Sequence, residues 1–255
     1  MPATESPTLE RQVRPLWRIL LWLALLLLFF VAGQYAVSLL PRASLVWANY
    51  LVLSAAGLLA GWAVLARMDG RPPGALGFAL SRAAITETAS GLALGGLLIG
   101  VAVILLLVTR SAVFVPDAGT VGSYVVSLIS TLLFFWLAAA YEEIWFRGYG
   151  FQALVEGIGP WPTILLTSGL FSLLHAANPN FGWAAFINIF LAGIMLALAY
   201  LRTRSLWFAT ALHAGWNWAM ASLFAFPVSG LTFIDTPLYD VVEQGDAWWT
   251  GGAFG

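Results

Sequence analysis

Apolar residues fall in long blocks along this chain, with the polar ones gathered between them. Reading for runs bounded by charge, Pro and Gly gives seven blocks: Leu16–Leu40, Leu45–Leu65, Ile85–Val108, Tyr124–Ala140, Trp161–Ala177, Trp183–Leu201 and Leu206–Phe224. Each has about the 17–25 residues that a helix needs to cross roughly 30 Å of hydrocarbon. Their length and Leu/Ala content argue for helices over strands, and hydrocarbon obliges every span to satisfy its own backbone hydrogen bonds. The expected fold is therefore all-α, a polytopic transmembrane helix bundle of seven predicted spans. The run Trp248-Trp249-Thr250-Gly251-Gly252-Ala253-Phe254-Gly255 reads as a turn before another span, so an eighth is expected beyond it. The layout is a cytoplasmic tail 1–15, a bundle 16–225 and an extracytoplasmic segment 226–255.

Composition agrees with the pattern. Hydrophobic residues make up 61% and charged ones 9%, and the mean hydropathy is +0.88, whereas a soluble domain carries roughly 25% charged residues. The formal net charge of -1, without a block of like charge, gives no reason to expect a nucleic-acid partner. The absence of Cys excludes disulfides, thiol nucleophiles and thiolate metal sites. The first block is too long for the apolar core of a signal peptide and lacks a small-residue cleavage site, so it reads as a retained anchor. All 11 basic residues are Arg. Arg11, Arg14, Arg18, Arg67, Arg71, Arg82, Arg202 and Arg204 fall on one side of this topology, and Arg42 and Arg110 on the other. The excess predicts a cytoplasmic N-terminus in a multi-pass protein of the cell membrane. Asp235, Asp240, Glu243 and Asp246, in a segment free of Arg, suit the outer side.

Gly91, Gly95, Gly96 and Gly100 give the third block two overlapping small-xxx-small patterns, which let helix backbones approach closely. Charges in loops, such as Asp69, Asp117 and Glu156, can be solvated. Ionisable groups at membrane depth are costly and so more informative. They are Glu142, Glu143, Arg147, His175 and His213, with Asn217 beside them. Glu143 and Arg147 stand four apart in the favourable order for a same-face pair. Glu142 points about 100° away around the helix, free to face a cavity and suited to taking up and releasing a proton. A structural cluster of ion pairs would explain the same triplet. If the fourth helix runs on to Val155, Glu142 lies about 20 Å above its cytoplasmic end and His175 about 21 Å above Trp161, whereas His213 lies only about 10 Å above Leu206, a mismatch of about two turns. Both His residues of the chain fall inside apolar blocks with an aligned partner at a spacing of four, Phe171 before His175 and Asn217 after His213. That coincidence favours a catalytic or metal site over isolated core histidines.

The ordered set Glu142-Glu143-x-x-x-Arg147, Phe171-x-x-x-His175 and His213-x-x-x-Asn217 on successive apolar helices resembles the CPBP family. This family is also known as Abi or type II CAAX prenyl endopeptidase-like, and includes bacteriocin-processing proteins. The resemblance runs from Tyr124 to about Gly255, with the family core in 124–225. It implies an intramembrane peptidase that hydrolyses a peptide bond of a membrane-associated protein or peptide, lipidated in eukaryotic relatives. In that scheme Glu142 and His175 hold and deprotonate water, and His213 and Asn217 stabilise the oxyanion. Glu143, Arg147 and Phe171 support them. No cofactor is favoured. The alternative within the family is a zinc enzyme with Glu142, His175 and His213 as ligands, although neither histidine belongs to an H-E-x-x-H pair. Outside it stand a bacteriocin-immunity or scaffold protein, in which the polar cluster only joins helices, and a proton-coupled transporter. No inverted repeat supports the last. Beyond the substrate, the one partner expected is the lipid bilayer.

Overall fold

A computed structural model describes residues 9–41 (backbone alone for 9–14), 45–232, 234 and 236–255. Arg42 and Asp235, both used in the charge reading, and residues 1–8 of the expected tail lie outside the described residues. The chain divides into two compact units, residues 1–79 with 141–167 and residues 80–140 with 168–255.

The first unit is built from α1 (Leu9–Ser38), α2 (Leu45–Met68) and α5 (Tyr149–Ile158). Its core joins Trp22 and Leu26 of α1, Ala56, Ala60, Val64 and Leu65 of α2, Leu76 from the following loop, and Tyr149 and Ala153 of α5. Polar contacts tie the same elements together. The Arg18 guanidinium pairs with Asp69 at 3.0 Å and Glu156 at 2.8 Å, and its Nε donates to the Tyr149 hydroxyl at 2.9 Å. Glu156, expected in a loop, stands on α5 instead, and it and Asp69 after α2 are partners of one cation. Gln152 Nε2 donates to the carbonyls of Ala75 and Leu76, fastening α5 to the loop after α2.

The second unit holds α3 (Arg82–Val108), α7 (Trp183–Thr203) and α8 (Leu206–Trp218). Here α3 and α8 meet backbone to backbone. A Cβ on Gly91 would stand 2.6 Å from the Phe208 carbonyl oxygen, one on Gly95 would collide with the Leu212 carbonyl, and one on Gly215 with the Leu92 carbonyl. The small-residue stripe thus acts through Gly91 and Gly95. At Gly96 a Cβ would make ordinary contact with Ala219 at 3.8 Å, and at Gly100 with Phe224 at 3.6 Å. Arg204, left-handed at φ 57°, ends α7, and Ser205 caps α8 by accepting from Phe208 N. The Ser205 hydroxyl also donates to Glu87 of α3 at 2.6 Å.

Two helices belong partly to each unit. α4 (Val121–Arg147) carries Tyr141–Arg147 into the first, and α6 (Pro160–Leu174) leaves it after Thr167. α4 begins earlier and ends later than the predicted fourth span. It does not run on to Val155, because the backbone turns at Gly148 (ψ -139°) and restarts as α5.

This is a multi-pass, all-α membrane protein in outline, but the count of seven spans is not met. Among the described residues five helical stretches are long and apolar enough to cross a membrane: Pro15–Ser38, Leu45–Met68, Arg82–Val108, Val121–Ile158 and Trp183–Thr203. The predicted fifth span becomes the 15-residue α6, started at Pro160 and followed by a 3-10 turn at His175–Ala177 before Asn178-Pro179. The seventh becomes the 13-residue α8, which widens into a π turn at Ala219–Leu223. Leu27, Leu97, Ile104, Leu133 and Leu191 stand exposed, as lipid-facing residues should.

A feature absent from the sequence expectation is a small antiparallel ribbon of β1 (Ala112–Pro116) and β2 (Tyr239–Glu243), with Ala112 opposite Glu243. Part of the C-terminal segment thereby folds back on the loop after α3. It then makes a short α9 (Ala247–Thr250). The Tyr239 hydroxyl donates to the Leu223 carbonyl at 2.7 Å and shares a bond with Tyr124 at 2.9 Å. Burial and that phenol pair push the Tyr239 hydroxyl above its ordinary value.

If the α3–α8 approach organises the second unit, Gly95→Val should cost about 3 kcal/mol, as overpacking of a tight contact does. Gly96→Ala should leave stability unchanged or raise it slightly. Thermal unfolding in detergent checks both.

Candidate active site

The site residues fall into two sets, one in each unit. In the first unit, Glu143 and Arg147 form the salt bridge that their spacing predicts, Nη1 to Oε1 at 2.9 Å. Both side chains are buried, at 0% and 1% exposure, so each charge depends on the other. Taking two charges out of water is costly, and removing one partner afterwards is costlier still. Glu142, next along the helix, is half-buried. It does have a partner of its own: the Tyr141 hydroxyl donates to Oε1 at 3.1 Å. This contact was not foreseen, because neighbouring residues on a helix are not expected to face each other. The long phenol reaches across.

In the second unit Phe171, 3% exposed, packs against both histidines. Its ring lies 4.8 Å from that of His175 at 66°, and 6.0 Å from that of His213 at 79°. One aromatic side chain on α6 thus links the two imidazoles on their two helices. The His175 Nδ1 is 2.8 Å from the Phe171 carbonyl oxygen. A carbonyl only accepts, so Nδ1 carries the hydrogen and the lone pair of a neutral ring resides on Nε2. The position of His175, first in the 3-10 turn, is fixed from beyond it: Asn178 Nδ2 donates to the Ser229 carbonyl at 2.9 Å.

His213 and Asn217 are half-buried on α8. Besides the α3 contact, α8 is held to the second-unit part of α4 by the Trp218 indole N–H, which donates to the Leu128 carbonyl at 3.0 Å. Trp207 stacks on Trp136 at 6.4 Å. Asn217 stands two residues before the π turn, a backbone feature frequent at functional sites.

The structure therefore brings together Glu143 with Arg147, Glu142 with Tyr141, and Phe171 with His175 and His213. Tyr141, Asn178 and the tryptophans of α8 were missed by sequence reasoning. A phenol next to the acidic pair was the one signal that could have pointed to Tyr141. Among the described residues no group of three or more His, Cys, Asp or Glu side chains could hold a metal ion.

Residues 124–219 match a family model described as Rce1-like, type II CAAX prenyl endopeptidase Rce1-like. The match begins at Tyr124, where the resemblance begins, and takes in all three motifs. It stops at Ala219, short of the expected extent to about Gly255. No curated protein and no solved structure matches the chain.

Two outcomes are expected. Arg147→Met should destabilise the protein by about 3–5 kcal/mol, as loss of one buried partner does. The double variant Glu143→Leu with Arg147→Met should recover most of that, as measured by unfolding in detergent. In a 15N spectrum, neutral His175 should be the Nδ1–H tautomer.

Proposed function

We propose, from the premise that residues 124–219 are of the type II CAAX prenyl endopeptidase Rce1-like kind, that this chain is an intramembrane endopeptidase. It hydrolyses a peptide bond of a membrane-associated protein or peptide through a water activated by Glu142 and His175. The observation that carries the reading is that the matched stretch contains Glu142, Glu143, Arg147, Phe171, His175, His213 and Asn217 in one unbroken order.

Glu142 takes a proton from water, whose oxygen attacks the scissile carbonyl carbon. The Nε2 lone pair of His175, left over by its Nδ1 bond to Phe171, accepts the second water hydrogen bond and orients the nucleophile. Negative charge then develops on the carbonyl oxygen. An N–H of His213 and the Asn217 amide donate to it, as pre-oriented donors do in acyl transfer. When the tetrahedral intermediate collapses, the C–N bond breaks and the proton held by Glu142 passes to the leaving amine. The products are a new carboxylate and a new amine. Glu143 pairs with Arg147, and Glu142 beside it acts as the base. The N-terminus lies on the cytoplasmic side.

The purified chain should cleave a farnesylated peptide ending in a CAAX sequence, used as a probe. Glu142→Gln should lower kcat by 10²-fold or more, the usual contribution of a general base, with the folded yield unchanged. A Glu142→Gln variant that cleaves like wild type would sink the protease reading and leave the cluster as a device joining helices. Full activity in a metal chelator is the expected result for a glutamate-activated water. Loss in chelator and recovery with zinc would instead assign a metalloprotease.

A further inference from the structure

We infer that Tyr141, backed by Tyr50 and Trp145, is a positioning residue that holds the Glu142 carboxylate in place through its phenol hydroxyl. The inference rests on the reading of Glu142 as the catalytic base and adds a residue outside the three motifs.

Glu142 and Glu143 are adjacent carboxylates at membrane depth, and the fold treats them differently. Glu143 is neutralised by a guanidinium, 2.9 Å away and fully buried. The Tyr141 phenol donates to Glu142 at 3.1 Å. A phenol supplies one hydrogen bond and no formal charge, so it orients the carboxylate and costs it less basicity than a cation at the same distance would. That is the arrangement a general base requires, because its efficiency depends on reaching its proton in the right geometry.

A lone phenol on a flexible side chain would orient nothing, yet this one is gripped. Its ring packs on Tyr50 of α2 with centroids 5.6 Å apart at 32°. It meets Trp145, one turn along α4, edge-on at 6.4 Å and 88°. Trp145 is itself held: its indole N–H donates to the Leu53 carbonyl of α2 at 2.9 Å, and Phe30 of α1 packs edge-on at 6.1 Å. The approach that permits this is set by Gly57 of α2, where a Cβ would stand 2.5 Å from the Ile144 side chain and 3.0 Å from the Trp145 ring. A continuous aromatic buttress therefore runs from α1 and α2 to the hydroxyl on Glu142, wholly within the first unit. Purely structural packing would need the rings, and a phenylalanine at 141 would serve it equally well. The hydroxyl, aimed at the carboxylate, is what the positioning role adds.

Tyr141→Phe removes that hydroxyl and keeps the ring. On the farnesylated CAAX probe, kcat should fall on the order of ten-fold, the range for one hydrogen bond to a charged group, with KM and the thermal midpoint unchanged. The infrared carboxylate band of Glu142, isolated as wild type minus Glu142→Gln, should shift in Tyr141→Phe. With 3-fluorotyrosine at 141, a stronger donor, it should shift the opposite way. An unchanged band, or unchanged kcat in a folded Tyr141→Phe that retains the wild-type KM, overturns the inference. A wild-type chain that leaves the probe uncut while the band shifts overturns the protease reading instead, and the hydrogen bond stands.

Discussion

Hydrocarbon gives helices no hydrophobic reason to associate, so their association falls to close packing and polar contacts. The α3–α8 pair shows the first means. Gly91, Gly95 and Gly215 bring backbone to within reach of backbone, and the gain is dispersion summed over many atoms that no side chain holds apart. The position of α8 follows from this, and with it the height and facing of His213 and Asn217. The Ser205–Glu87 hydrogen bond and the Trp218–Leu128 bond then restrain sliding and rotation of the same helix. A functional helix of only 13 residues can be placed well because its neighbours hold it along its length.

The buried Glu143–Arg147 pair shows the second means. Its net contribution to stability is small, since the desolvation of two ions offsets most of their attraction. Its consequence lies in the charge of α4: it balances the Glu143 carboxylate, while the neighbouring Glu142 accepts from the Tyr141 phenol. The aromatic contacts from Phe30, Tyr50 and Trp145 supply around it a rigid apolar frame, and rigidity of that kind is what a preorganised site demands.

The candidate site residues were conspicuous in the sequence because membrane proteins make ionisable residues rare. With charged residues at 9% of the chain, Glu142, Glu143, Arg147, His175 and His213 stood out without any structural knowledge, and the i,i+4 rule paired Glu143 with Arg147 correctly. Span boundaries were less legible. Hydropathy does not distinguish a continuous helix from α6 running into a 3-10 turn, or α8 into a π turn, since both backbones keep the same apolar side chains. The β1–β2 ribbon was hidden for another reason. Its strands lie more than a hundred residues apart, and each is only five residues long, too short for alternation to register. The Tyr141–Glu142 contact depends on the reach of a side chain, which spacing rules do not describe.

These irregularities coincide with the candidate site residues. α4 ends at Gly148, directly after Arg147; α6 gives way to a 3-10 turn at His175 itself; α8 becomes a π turn two residues after Asn217. Each interruption frees backbone groups that an uninterrupted helix would have paired, and lipid cannot satisfy them. Such backbone is tolerated at membrane depth only where it is buried in protein or lines a polar cavity, and a site that must admit water to a peptide bond needs such a cavity. A straight helix would present His175 and Asn217 to whatever packs alongside it, whereas a helix that changes its pitch there can turn their polar ends away from lipid. In this chain the breaks in the helices and the candidate site residues fall together, as the proposed hydrolysis of a peptide bond within the membrane would require.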